Sequence, residues 1–153
     1  MRIVACLARL AVMLVYDGQT VALAYPFVLE ELQSLMSPDR LRVKAMFGSH
    51  AVYVDERIVF ILRSKGTRDD GVWVALSNPA HAAGMRKAYP ALRGIEMFAE
   101  RAFTDWLNLP SSDPGFEELA LEFCGLVGKR DSRIGKVPKG RKKVASPLRS
   151  SRP

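Results

Sequence analysis

Proton transfer near neutral pH most often relies on histidine, and this chain has two, His50 and His81. A histidine acts as general base or metal ligand only with a partner at hydrogen-bond or coordination reach. Neither has such a partner nearby in sequence, so an enzymatic reading needs folding to bring His50 together with acids such as Asp55 and Glu56. His81 shares a helical face with Met85, Ala88 and Tyr89 and reads as a packed side chain. The adjacent acids Asp55-Glu56 and Asp69-Asp70 fall in polar loops, where such pairs are commonly solvated; a metal site would need further oxygen ligands from elsewhere. Gly66 and Gly71 lack the spacing of a phosphate-binding loop. There is no Ser-His-Asp pattern and no CxxC. The expectation is no catalytic residue, no metal and no cofactor.

The clearest charge signal lies at the C-terminal end. Residues 129–153 hold ten Lys or Arg and one acid, a net of +9, which leaves −2 for residues 1–128. A uniformly basic surface is therefore excluded. Beyond residue 130 the composition turns to Lys, Arg, Ser, Gly and Pro, which predicts a disordered tail. Within it Lys136, Lys139, Arg141, Lys142 and Lys143 could neutralise phosphates and give nonspecific nucleic-acid affinity. The bland alternative is a solubilising tail. Base stacking by the tail is disfavoured, because it has no aromatic residue.

The rest of the chain is long enough for one domain with one core. The hydrophobic fraction of the full sequence, 48%, is ordinary for a globular protein. Cys6 and Cys124 are far apart and have no companion at ligand spacing, so a reduced, cytoplasmic protein is expected. Residues 1–24 are an uncertain N-terminal extension with three readings. One is a secretory signal, with Arg2 before the apolar run and Ala22-Leu23-Ala24 as a cleavage site. Another is a hairpin turning at Asp17-Gly18. The third is an upstream start site. The run is interrupted by Arg9 and falls short of the roughly 20 residues of a membrane span.

Residues 44–60 organise the remainder. Leu41, Val43 and Ala45 alternate with Arg42 and Lys44, the period of a half-buried strand. Gly48-Ser49 supplies a turn, and residues 51–54 and 58–62 are β-rich runs joined by Asp55-Glu56-Arg57. A further strand is predicted at 72–76, with weaker ones at 93–97 and 103–109. Trp73 and Trp106 lie on these strands and are expected in the core. Helices are predicted at 26–36, at 78–89 after the Asn78-Pro79 cap, and from the Asp113-Pro114 cap onward. In the last, Phe116, Leu119, Ala120, Phe123, Cys124 and Val127 form an apolar stripe. The fold class that follows is α+β: a two-layer domain with an antiparallel sheet of about five strands and helices packed on it. The domain should span 25–130, with 131–153 as tail.

Lys44-Ala45-Met46-Phe47-Gly48, followed by Val52-Tyr53 and Ile58-Val59-Phe60, resembles the TfoX/Sxy N-terminal domain family. The resemblance covers roughly residues 27–128, most strongly 44–76. It departs where Ser49 and Ala51 stand at positions the family often fills with glycine, and the DNA-contacting C-terminal domain of the full-length competence regulators is replaced by the basic tail. The resemblance implies a small cytoplasmic α+β domain without cofactor, linked in some members to competence-gene regulation. Met46, Phe47, Gly48 and Tyr53 carry it and are read as mainly structural, since alternation turns only one of Met46 and Phe47 inward while Gly48 supplies a backbone angle. The functional expectation is a non-enzymatic regulatory or interaction module that docks a protein partner. The alternative is a small enzyme using His50 and nearby acids.

Overall fold

The computed structural model describes residues 2–4, 13–16, 19–46, 48–99 and 104–138. Three short strands, β1 (Arg2–Val4), β2 (Met13–Tyr16) and β3 (Gln19–Ala22), pair antiparallel in a small sheet of their own. The β2–β3 pairing matches the hairpin reading of this segment; its expected turn residues, Asp17 and Gly18, lie outside the described residues. The main sheet follows as β4 (Leu41–Met46), β5 (Ser49–Val54), β6 (Arg57–Arg63), β7 (Gly71–Ala75) and β8 (Trp106–Pro110). Their spatial order is the chain order and every pairing is antiparallel; the first three connections are short, as antiparallel neighbours allow, and the last runs over residues 76–105. The α+β architecture predicted from alternation is thus the one observed.

Two local devices set the register. The β4–β5 turn uses Gly48 at φ 76°, a backbone angle that glycine adopts without a Cβ penalty. The two-residue β5–β6 turn places Asp55 at φ 57°. It is clamped by Arg40, whose Nε and Nη2 donate to the two Asp55 carboxylate oxygens at 3.1 and 2.8 Å. Further along, Val52 faces Phe60 but Tyr53 faces Ile58, so Val59 is the extra residue of a β-bulge. Because strand side chains alternate, the bulge lets Val59, Phe60 and Leu62 point to one face while Ile58 and Ile61 point to the other.

Three helices accompany the main sheet. α1 (Pro26–Leu35) begins with proline in the first turn and buries Val28, Leu29 and Leu32. α3 (Phe116–Gly128) buries Phe116, Ala120, Phe123, Cys124 and Val127, and leaves Leu119 of the stripe read from the sequence half-buried. These side chains join Val43, Val52, Phe60, Leu62, Val72, Val74, Leu107 and Leu109 in one core. α2 (His81–Ala88) is shorter and contributes Met85, while the Tyr89 ring after it meets Phe123 edge-on at 4.9 Å. Both predicted caps act one turn early. Asn78 Oδ1 accepts from the Ala80 N–H, and Asp113 Oδ2 accepts from the Gly115 N–H.

Two expectations are corrected. Residues 93–97 do not form a strand. Arg93 exchanges backbone hydrogen bonds with Asn108 at 3.0 and 2.8 Å, and a 3-10 helix over Glu96–Phe98 follows at once. Nor is the chain a free tail from 131. Ile134 is 4% exposed and bridges Leu76, and Lys136 exchanges backbone hydrogen bonds with Ile58 at 2.9 and 3.0 Å. Gly135, at φ 104°, donates its N–H to the Ala75 carbonyl at 2.8 Å. One apolar residue and a few backbone bonds tie residues 131–138 to the ends of β6 and β7, so the domain passes the boundary at 130.

Truncation before Asp131 should accordingly lower stability by roughly 3 kcal/mol or more, the sum of one buried isoleucine and several ladder bonds. Ending the chain after Pro138 should leave the urea midpoint unchanged. Cys124 gives a second check. Burial, with the Glu31 carboxylate adding to it, pushes its thiol up to about 12. In a Cys6→Ser chain, labelling of native Cys124 by a thiol reagent should be at least about a hundredfold slower than in urea, because the thiolate is the reactive form.

Candidate ligand and partner face

The helices cover one face of the main sheet, and the opposite face is also apolar. Ala51, Tyr53, Ile58, Ile61, Trp73 and Ala75 are buried there with Ile95, and Met46, Phe98 and Trp106 pack against them half-buried. The cover comes from the segment before β8. The indole N–H of Trp73 donates to the Asp69 carbonyl at 2.7 Å. The Asp69 carboxylate, 6% exposed, accepts the N–H groups of Glu96 at 2.7 Å and Met97 at 3.1 Å. This caps the 3-10 turn and sets the Phe98 ring edge-on to Trp73 at 5.6 Å. Trp106 meets Trp73 from the other side at 6.3 Å.

Between these rings the cover given by the described residues is incomplete. An apolar pocket of about 280 Å³ opens over Ile61 and Trp73, walled by Phe98, Trp106, Met46 and Met97, with Met97 58% exposed at its rim. Two polar side chains also line it, Ser49 and Arg63. Arg63 is 9% exposed and its guanidinium carbon lies 5.6 Å from the Trp73 ring centre. Neither Arg63 Nε nor Ser49 Oγ has a hydrogen-bond partner among the described residues. Among the described residues the ion-pair partner of Arg63 is Asp70, 4.0 Å from Arg63 Nε. Its carboxylate is already engaged by the N–H groups of Lys65 and Gly66 and by the Thr67 hydroxyl. Burial pushes the Asp70 carboxyl up, but these donors outweigh it and hold the group below its ordinary value.

A larger groove of about 410 Å³ lies at the other end of the sheet, between the β5–β6 turn and the end of α3. Two ion pairs flank it, Arg40 with Asp55 and Asp131 with Arg133 at 2.8 Å, and Arg57 and Arg130 also line it. The Arg133 guanidinium, against the cost of burial, holds the Asp131 carboxyl down at about 2.

The residues singled out from sequence are dispersed. His50 is half-buried, with its proton affinity lowered by desolvation, and the small pocket beside it is lined by Leu23, Ala24, Gly48, Ser49, Leu62 and Ser64, with no acid among them. Asp55 and Glu56 lie past the opposite end of β5, about 16 Å away at 3.3 Å per residue. The structure therefore does not unite His50 with those acids. Met46 stands on the second face at the pocket rim, and Tyr53 lies on the same face with Arg42 and Lys44 over its ring at 5.4 and 5.6 Å. Gly48 serves the turn, and Phe47 lies outside the described residues. Trp73 is buried as expected, though in the second-face layer rather than beneath the helices. Lys136 is not part of a free basic tail, because its ammonium pairs with the Asp105 carboxylate and sits over the Trp106 ring. Lys139, Arg141, Lys142 and Lys143 lie outside the described residues. Among the described residues no group of three or more His, Cys, Asp or Glu could hold a metal ion, and no helix is long and apolar enough to cross a membrane.

Sequence reasoning missed Arg63, Ser49 and the role of Asp69. One signal for the second face was present. Residues 51–54, 58–62 and 72–76 are continuous apolar runs, and strands solvated on one face would alternate. Comparison with family models, with curated proteins and with solved structures gives no match.

Replacing Asp69 with alanine should strand the Glu96 and Met97 N–H groups and cost about 2–4 kcal/mol. Urea unfolding would measure the loss. Native-state hydrogen exchange should show it first at those two amides.

Proposed function

We propose that this chain is a non-enzymatic regulatory or interaction module of the cytoplasm, resembling the TfoX/Sxy N-terminal domain and acting in transcriptional or competence regulation. Its docking surface for a protein partner is the second face of the main sheet. The basic residues beyond Pro138 add nonspecific nucleic-acid affinity. One observation carries the reading: a sheet whose core is closed by helices on one side has an apolar layer with an open, methionine-rimmed pocket on the other. An open apolar pocket beside a closed core gives a partner's side chain a place to seat, and an exposed methionine such as Met97 suits a surface that adapts to a partner. The separation of His50 from Asp55 and Glu56 weighs against the enzymatic alternative.

The nucleic-acid component now rests on Lys139, Arg141, Lys142 and Lys143. If they contact phosphates, affinity for duplex DNA should fall with salt by about 0.9 log units per contact per log unit. A chain ending at Pro138 should lose that binding and keep its melting temperature. Affinity capture from the native cell with the full chain, the chain ending at Pro138 and a Met97→Glu chain separates the two roles. A docked protein should survive the truncation and be lost with Met97→Glu. A protein retained equally by all three forms would refute docking on this face.

A further inference from the structure

A surface built solely to receive a flat apolar partner has no use for an arginine with a buried, unbonded Nε, yet Arg63 lines the pocket. Arginine stays charged at all relevant pH values. Burying it without a full set of acceptors carries a desolvation cost, and buried polar atoms in native structures are nearly always bonded. Arg63 Nε is unbonded among the described residues, and its one nearby carboxylate is held at 4.0 Å by three donors of its own. Ser49, 4% exposed on the neighbouring strand, offers a second unbonded group to the same pocket. The β5–β6 pairing sets His50 opposite Leu62, which puts Ser49 and Arg63 one step along the same register. The other walls offer rings and thioethers.

We propose that the pocket binds a small monocarboxylate with an apolar body, its carboxylate taken by Arg63 and Ser49 and its body laid between Trp73, Phe98 and Trp106. Three features select this class. A carboxylate presents two acceptor oxygens, which suits one guanidinium edge and one hydroxyl, whereas a phosphate dianion would call for more donors. The apolar walls reject a polar body. The volume, about 280 Å³, lies just under the roughly 300–1,000 Å³ of pockets that enclose drug-sized ligands, so a single ring or a short chain fits. The inference does not rest on the docking role, since the purified full chain without any partner decides it.

The test compares octanoate, octan-1-ol and octylamine on the full chain by calorimetry and tryptophan fluorescence. Octanoate should bind and perturb the emission of Trp73 and Trp106. Octanol should bind about 10-fold to 100-fold more weakly, and octylamine more weakly still, because a charge-assisted hydrogen bond is lost and then replaced by repulsion. Ser49→Ala removes an unbonded hydroxyl, so the urea midpoint should hold while octanoate affinity drops several-fold. Arg63→Gln should reduce the preference for octanoate over octanol to near unity, with circular dichroism reporting whether that chain folds. Equal affinity for octanoate and octanol in the unmodified chain, or no binding of octanoate up to its solubility, would overturn the assignment.

Discussion

The second face of this protein depends on where one carboxylate points. Asp69 turns inward from the loop before β7 and gives both its oxygens to backbone N–H groups of a segment nearly thirty residues further on. A 3-10 turn leaves its first N–H groups without internal partners, so it needs such an acceptor to persist in a partly buried place. The Asp69 carbonyl simultaneously fixes the Trp73 indole. The neighbouring Asp70 turns outward and closes its own loop around Lys65, Gly66 and Thr67. Two adjacent acids thus organise two different loops, one over the sheet and one beside it.

A second constraint is the bulge at Val59. Strand geometry alternates strictly, so without the extra residue either the start or the end of β6 would face the wrong way. With it, Phe60 and Leu62 reach the helix-covered core while Ile58, Ile61 and Arg63 line the opposite face. Arg63 also contributes on the core side through its backbone, where its carbonyl accepts the Tyr25 hydroxyl at 2.7 Å. Tyr25 in turn sits at φ 49° at the entry to α1 with its ring against Phe116. That left-handed angle is unfavourable for a bulky residue, and these two contacts hold it in place.

Much of this architecture could be read from residue order. Alternation in β4, the turn residues Gly48 and Asp55, and the stripe of α3 are local signals, and each gave its element correctly. What could not be read is long-range. Asp69 and Asp70 look like any solvated pair until the segment at 95–98 arrives. Residues 131–138 have no apolar period, and their order rests on Ile134 and on backbone bonds to Leu76 and Ile58, which no local pattern announces. The strand expected at 93–97 failed because Gly94 and the Asp69 cap favour a turn after a single bridge. The pocket combines both cases. Its aromatic walls were visible as Trp73 and Trp106, but the meeting of Ser49 with Arg63 follows from register, and register followed from a bulge.

The terminal strand β4 presents Arg42 and Lys44 to solvent, both leaning on the Tyr53 ring of the neighbouring strand. A strand at the end of a sheet is a template on which another molecule's strand can add, the first step of edge-to-edge aggregation. Two like charges within one short strand make a second copy in the same register repel its mirror image. The edge that borders the second face is therefore guarded against pairing with another copy.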